Sequence, residues 1–261
     1  GAPGFDGGKL SMQKVLITRP RAQADAFAQE LRKAGFEPVF FPVIEIRPID
    51  NNKALKVALD QLDQYDWLVF TSVNGVEILW DELAHLGLER IPQNLCVAAI
   101  GPKTAEALQA YGMIPTFIPD EHVAEALLPG LGNLQGRRVL LPRAEIARPA
   151  LPEAIRQAGG TADEIAAYRT LPAEPDPQGL LALRSGVQVV TLTSPSTVQN
   201  FVALARAAGL DPLALPGNPV YACIGPITAQ AAQVENLPRL NVAKEYTTQG
   251  LIKALQSLET R

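Results

Sequence analysis

KVLITRPRAQADAFAQELRKAG, residues 14–35, and RVLLPRAEIARPALPEAIRQAG, residues 138–159, are two versions of one segment. Arg143 stands 124 positions after Arg19, Arg156 the same distance after Arg32, and Gly159 the same distance after Gly35. The step of 124 also separates AAIGPKTAEAL (98–108) from ACIGPITAQAA (222–232), and HVAEALL (122–128) from YTTQGLI (246–252). Between these blocks FTSVNGVEIL (70–79) matches LTSPSTVQNF (192–201) at a step of 122, so a two-residue slip is made and recovered in loops. Several blocks repeated in one order read as an internal duplication, and each copy has to be understood as one structural unit.

Within a copy, short apolar runs alternate with amphipathic stretches. Strands are expected at 14–18, 37–43, 67–71, 95–100 and 114–118, with helices beginning near Pro20, Lys53, Asn74, Pro102 and Val123. Ala24, Phe27, Leu31 and Ala34 recur at helical spacing, and Gly35 follows as a stop. The runs WLVF and CVAAI are apolar throughout, as strands covered on both faces require. Five β–α units in this order make a doubly wound parallel α/β sheet of flavodoxin-like type, and two copies make a bilobal molecule. The stretches around Pro38–Ile46 and Ala162–Thr170 read as extended and suit a pair of connectors. Sequential lobes and lobes with exchanged segments both agree with this pattern.

Composition narrows the classes of function. The 261 residues are enough for two domains of about 100–150 residues each. At 47% apolar they can build cores without disulfides. No run of about 18 apolar residues is present, so no membrane span is expected. Gly1 to Met12 is Gly-rich with no apolar core of a signal peptide; residues 1–13 are set aside as a tag or disordered lead-in, and a cytoplasmic location is expected. A net charge of −4 argues against a nucleic-acid partner, which demands a broad basic face. Cys96 and Cys223 lie in apolar runs and read as reduced, buried strand residues. His85, in a helix-like segment, and His122, at the opening of another, are too few to complete a zinc site, so no metal is expected.

Parallel sheets bind ligands beyond the C-terminal ends of their strands, and three kinds of motif fall there, each twice. Thr18-Arg19-Pro20 and Pro142-Arg143-Ala144 follow the first strand of each copy. Thr71-Ser72 with Asn74, and Thr193-Ser194 with Ser196-Thr197, end a central strand. Gly101-Pro102-x-Thr104 and Gly225-Pro226-x-Thr228 open a helix, where Pro suits the first turn and the free amides favour a carboxylate. Each motif has a plain structural role as well: Ser72, Asn74, Ser194 and Ser196 are ordinary N-cap types, and Gly-Pro-x-Thr starts a helix in any α/β protein. Arg19 and Arg143, at strand-to-helix turns, are the stronger ligand candidates; Lys103 and Arg148 read as solvated helix charges. There is no G-x-G-x-x-G, P-loop or G-x-S-x-G elbow. Catalysis by such a chain rests on positioning a reactive substrate and on amides and hydroxyls that stabilise charge, with no cofactor.

ITRP, FTSxNGV, IGPKTAEAL, LLPRAE, AAYRT, TLTSPST, IGPITAQAA and YTTQGL together, in order and over Lys14 to the C-terminus, closely resemble the uroporphyrinogen-III synthase family. The resemblance implies two flavodoxin-like lobes joined by a two-stranded connector, with exchanged segments: 14–40 plus 171–261 in one, 41–170 in the other. It implies the substrate hydroxymethylbilane, which loses water to an azafulvene. Attack through a spiro-pyrrolenine then gives uroporphyrinogen III with ring D inverted. Carried onto this sequence, Tyr168 of AAYRT matches the family's cleft tyrosine and is expected to protonate the leaving hydroxyl, since a phenol is a proton donor at neutral pH. By the same matching, Ser72, Thr104, Ser194, Ser196 and Thr228 are expected to line the cleft, with Thr248 near its edge and Arg19 and Arg143 helping to hold substrate carboxylates; the strand-end motifs add Asn74, Gly101 and Gly225 as substrate-binding candidates. A monomer is expected, and a transient contact with hydroxymethylbilane synthase is chemically sensible for a labile intermediate. The competing readings are a bilobal binder of a small anion and, more remotely, a nucleotide-sugar transferase.

Overall fold

The computed structural model describes residues 12–88, 90–121 and 123–259. His122 and residues 1–11 of the lead-in lie outside the described residues. In chain order the elements are β1 (Lys14–Ile17), α1 (Arg21–Lys33), β2 (Glu37–Phe40), β3 (Ile44–Pro48), α2 (Lys53–Asp60), β4 (Trp67–Phe70), α3 (Val73–His85), β5 (Cys96–Ala99) and α4 (Pro102–Ala110). A 3-10 helix (Ala124–Leu131) follows, then β6 (Arg138–Ala144), α5 (Ala150–Gln157), β7 (Thr161–Pro172), α6 (Pro177–Ser185) and β8 (Val189–Leu192). The chain ends with α7 (Pro195–Ala207), β9 (Val220–Cys223), α8 (Pro226–Val234), β10 (Leu240–Val242) and α9 (Thr248–Glu259). Among the described residues no helix is long and apolar enough to cross a membrane.

The chain forms two compact units, residues 1–45 with 171–261 (unit 1) and residues 46–170 (unit 2). Unit 1 holds a five-stranded sheet in the order β10-β9-β8-β1-β2 with every neighbouring pair parallel. Numbered by appearance within the unit, that order is the 2-1-3-4-5 of flavodoxin-like sheets read from the other edge. Unit 2 holds the order β3-β7-β6-β4-β5, in which β7, β6, β4 and β5 are parallel. Each sheet thus joins strands from both sequence repeats. Unit 1 takes β1 and β2 from the first and β8 to β10 from the second; unit 2 takes the complement. The chain leaves unit 1 within β3 and returns within β7.

Burial follows from the alternation of side chains along strands. In unit 2, Leu68, Phe70, Val97, Ala99 and Leu140 pack on one face against Leu55, Leu59, Val76, Leu79 and Leu108. Val69, Ala98, Val139 and Leu141 pack on the other against Leu127, Leu131, Leu151 and Ile155. In unit 1, Val15 and Ile17 meet Phe27, Leu31 and Leu251 on one face. Phe41, Phe201 and Tyr221 form an edge-on aromatic series, with ring centroids 6.3 and 6.0 Å apart. Helix α1 ends as its sequence demands: Gly35, at φ +90°, sends its N–H to Arg32 O while Phe36 N–H reaches Leu31 O.

Four expectations need correction. The apolar run at 114–118 makes only one bridge, Ala98 to Phe117, because Pro115 lacks an N–H to extend the ladder. The segment after Val123 is a 3-10 helix rather than an α-helix; it contains Pro129, which cannot donate the i to i−4 bond. Of the stretch Pro38–Ile46, Pro38 to Phe40 is part of β2 and pairs with β1 instead of serving as a connector. Cys96, which opens β5, is only half-buried; Cys223 is buried, and burial pushes its thiol up to about 11.

Gly179 shows how tightly helices sit on the strand ends. A Cβ there would lie 2.3 Å from Phe40 O and 2.9 Å from a Phe41 ring carbon. Gly179→Ala is therefore expected to destabilise the protein by about 2 kcal/mol through overpacking, against the roughly 1 kcal/mol that alanine gains in helix propensity. Urea unfolding tests this; a midpoint equal to or above that of the parent would show that α6 shifts freely.

Candidate active site

In unit 2, β4 and β6 end beside the C-terminal half of β7, and each of the three strands delivers one predicted residue there. Ser72 follows β4 as the N-cap of α3, its Oγ accepting the Gly75 N–H at 3.1 Å. Gly75 has no room for a side chain: a Cβ would stand 2.9 Å from Pro142 O. The first turn of α3 therefore rests directly on β6. Asn74 lies half-buried in that same turn.

Tyr168 reaches this place through an irregularity in β7. Arg143 pairs with Ala166 but Ala144 pairs with Tyr168, so Ala167 is an extra residue. Alternation is broken there, and Ala167 and Tyr168 are both buried although consecutive. Glu145 N–H holds the Tyr168 carbonyl at 2.8 Å, and an Arg169–Glu145 ion pair of 2.6 Å flanks it. The phenol oxygen comes to 2.9 Å from Ser72 Oγ. Two residues 96 positions apart thus share a hydrogen bond, one just past the end of β4 and the other in the C-terminal half of β7.

Arg143, at the end of β6, is 7% exposed. Both of its hydrogen bonds leave from Nη1, to Arg148 O at 3.0 Å and to Glu164 Oε1 at 3.2 Å. Its Nε is buried with no partner. Arg148 itself is exposed and pairs with Glu125, while Lys103 lies 3.9 Å from Glu106 in the open. Gly101 adopts extended backbone and α4 begins at Pro102. The first helical bond is Ala105 N–H to Gly101 O, so the amides of Lys103 and Thr104 have no helical acceptor. Thr104 is buried beneath that turn.

Unit 1 repeats much of this arrangement. Ser194 caps α7, accepting the Thr197 N–H at 3.1 Å, and Thr197 Oγ1 takes the Ser194 N–H at 2.9 Å to close a capping box. Ser196 Oγ lies 3.0 Å from Ser194 Oγ. Gly225 is extended like Gly101, with Tyr246 ring atoms from 3.3 Å of where a Cβ would stand, and Thr228 is buried in the first turn of α8. Arg19 follows β1; its Nη2 reaches Gln23 Oε1 at 3.4 Å and its Nε is buried without a partner, as at Arg143. Burial holds the Arg19 guanidinium below its ordinary pKa, with the charge of Glu30 pulling the other way. Thr18 is wholly buried and serves the sheet, donating to Thr191 O at 2.6 Å. Thr248 faces Glu30 at 3.5 Å, and the hydroxyl that caps α9 is that of Thr247, which accepts the Gly250 N–H.

The structure brings together Tyr168 and Ser72 and sets Arg143, Gly101 and Thr104 on strands and helices of the same unit. Arg19, Ser194, Ser196, Gly225, Thr228 and Thr248 belong to unit 1. Glu164 and Gly75 escaped the sequence reading. Gly75 was legible as the one residue in FTSVNGV without a side chain, whereas Glu164 acquires its role only through the register of β7 on β6.

Comparison with known proteins gives consistent relatives. The family described as uroporphyrinogen-III synthase HemD matches residues 25–253. The uroporphyrinogen-III synthase of Synechococcus elongatus is 34% identical over 248 residues, covering 93% of this chain and 94% of that one. The porphyrin biosynthesis protein HemD of Ruminiclostridium josui is 32% identical over 247 residues; the match takes in 93% of this chain but 48% of that protein, so the chain spans about half its length. A crystal structure of a mutant uroporphyrinogen III synthase from Thermus thermophilus superposes with a TM-score of 0.61 at 24% identity, over 95% of this chain and 98% of that one, and shows the same fold.

Proposed function

The chain belongs to the uroporphyrinogen-III synthase family, and on that premise we propose that it closes hydroxymethylbilane to uroporphyrinogen III with loss of water. The observation that carries the reading is the Tyr168–Ser72 hydrogen bond in unit 2. Tyr168 gives its phenol proton to the leaving hydroxyl of the bilane. The azafulvene so formed is attacked at the substituted carbon of ring D; fragmentation of the spiro-pyrrolenine and recombination invert that ring. The substrate reacts readily by itself, so the protein has to assist departure of water and hold one folding of the bilane.

Its acetate and propionate groups are taken by amides and hydroxyls at Gly101 and Thr104 in unit 2 and at Ser194, Ser196, Gly225, Thr228 and Thr248 in unit 1, with Asn74 contributing in unit 2 and Arg19 and Arg143 as charged partners. Helix N-termini suit this because their unpaired N–H groups and positive ends favour carboxylates. We take the two repeats as products of a duplication whose copies have since diverged at the tyrosine. Catalysis is separated from mere anion binding by following bilane loss with substrate in large excess over protein. An enzyme accelerates the loss in proportion to its concentration, whereas a binder at that ratio leaves the spontaneous rate unchanged.

A further inference from the structure

Ser72 and Ser194 occupy matching places in the two repeats and cap their helices alike, each accepting an N–H three residues on at 3.1 Å. What meets the hydroxyl differs. In unit 1 it is Ser196 Oγ at 3.0 Å; in unit 2 it is the phenol of Tyr168 at 2.9 Å. The residue 124 positions before Tyr168 is Ile44, so the first repeat has no tyrosine at the matching place. Two further features serve this contact: the extra residue Ala167 that turns Tyr168 inward, and the bare Gly75 that lets α3 settle on β6. Capping is common to both copies, and the pairing with a phenol is added only where the tyrosine stands.

Resting on the synthase reading above, we propose that Ser72 is a positioning residue that acts through Tyr168, donating its hydroxyl proton to the phenol oxygen so that the phenol's own proton is directed at the substrate. This assigns Ser72 to Tyr168 and not to a substrate carboxylate. The Gly75 N–H on Ser72 Oγ polarises the serine O–H and makes it a better donor. The positive end of α3 lies behind it, where negative charge develops on the phenol oxygen during proton transfer. As the Tyr168 O–H bond breaks, the proton passes to the hydroxymethyl oxygen. The C–O bond breaks with its electron pair and water departs. The phenolate left behind keeps the Ser72 hydrogen bond. It regains a proton when the ring carbon that forms the last bond loses its hydrogen after recombination, so protons balance over the cycle.

The test separates capping from donation. Aspartate and threonine both cap helices, but only threonine keeps a hydroxyl. Ser72→Thr is expected to retain most of the type III activity. Ser72→Asp is expected to melt close to the parent while kcat falls about tenfold and KM changes less. Ser72→Ala is expected to cost about tenfold beside Tyr168 and less than about twofold in a Tyr168→Phe background, since a residue acting through another shows no separate effect once that partner is gone. Aspartate as active as threonine, or an equal alanine penalty in both backgrounds, overturns the role of Ser72 and leaves the synthase reading standing. No type III product from the parent protein overturns both.

Discussion

Tyr168→Phe is expected to lower the rate of type III formation about a hundredfold while leaving the fold intact. The ring is buried and phenylalanine fills the same space, so what is lost is the hydroxyl and its 2.9 Å bond to Ser72. Removing such a bond costs on the order of 1 kcal/mol of stability, and Ser72 keeps its cap to Gly75. The catalytic loss is larger because a positioned acid contributes roughly 10²–10⁴-fold. The lower end applies here, since the bilane sheds its hydroxyl without help. Initial rates of bilane consumption beside a thermal melt check both halves. A rate within about twofold of the parent would remove Tyr168 from the proton transfer.

Arg143→Met is expected to raise KM strongly, lowering kcat/KM by about a hundredfold, with a smaller change in kcat. Charge-assisted hydrogen bonds are worth about 1.5–3 kcal/mol each, and the methionine keeps much of the buried stem. The expectation rests on an unsatisfied atom. Arg143 uses Nη1 twice, yet its Nε is buried with no acceptor, and Arg19 leaves the same atom unpartnered at the matching place in unit 1. An orphaned buried donor costs about 1–3 kcal/mol, so neither guanidinium has its donor capacity met within the chain, and we propose that substrate carboxylates draw on what remains. Glu164 already answers part of the charge of Arg143 at 3.2 Å and is itself partly open to solvent, which limits the loss of stability when the arginine is removed. A kcat/KM within about threefold of the parent, with an unchanged melt, would make Arg143 a tie for the loop carrying Arg148 and nothing more.

Much of the fold was legible because it rests on short-range signals. Helix starts at Pro102 and Pro226, stops such as Gly35, and apolar strand runs each declare themselves within a few residues. The parallel α/β character followed from their alternation. The failures were also local in cause: Pro115 and Pro129 override the hydrophobicity of their surroundings, and the first repeat ends in a bridge and a 3-10 helix where the second has β10 and α9. Which strands share a sheet is not a local property, and periodicity alone left sequential and exchanged lobes equal.

The candidate site shows the same division. Residue types at strand ends pointed to Ser72, Arg143 and Thr104 as a class. Nothing in AAYRT announces that β7 carries an extra residue, so the meeting of Tyr168 with Ser72 appears only when β6 and β7 are paired. Nor does the sequence distinguish Ser72 from Ser194. Both are sound caps, and only the neighbour across the sheet separates them.

The most direct measurement is the isomer ratio. Hydroxymethylbilane is generated enzymatically with and without this protein, the products are oxidised, and the uroporphyrins are separated by chromatography. The account predicts that type III predominates in the presence of the protein and type I in its absence. Type I alone from folded protein would contradict it.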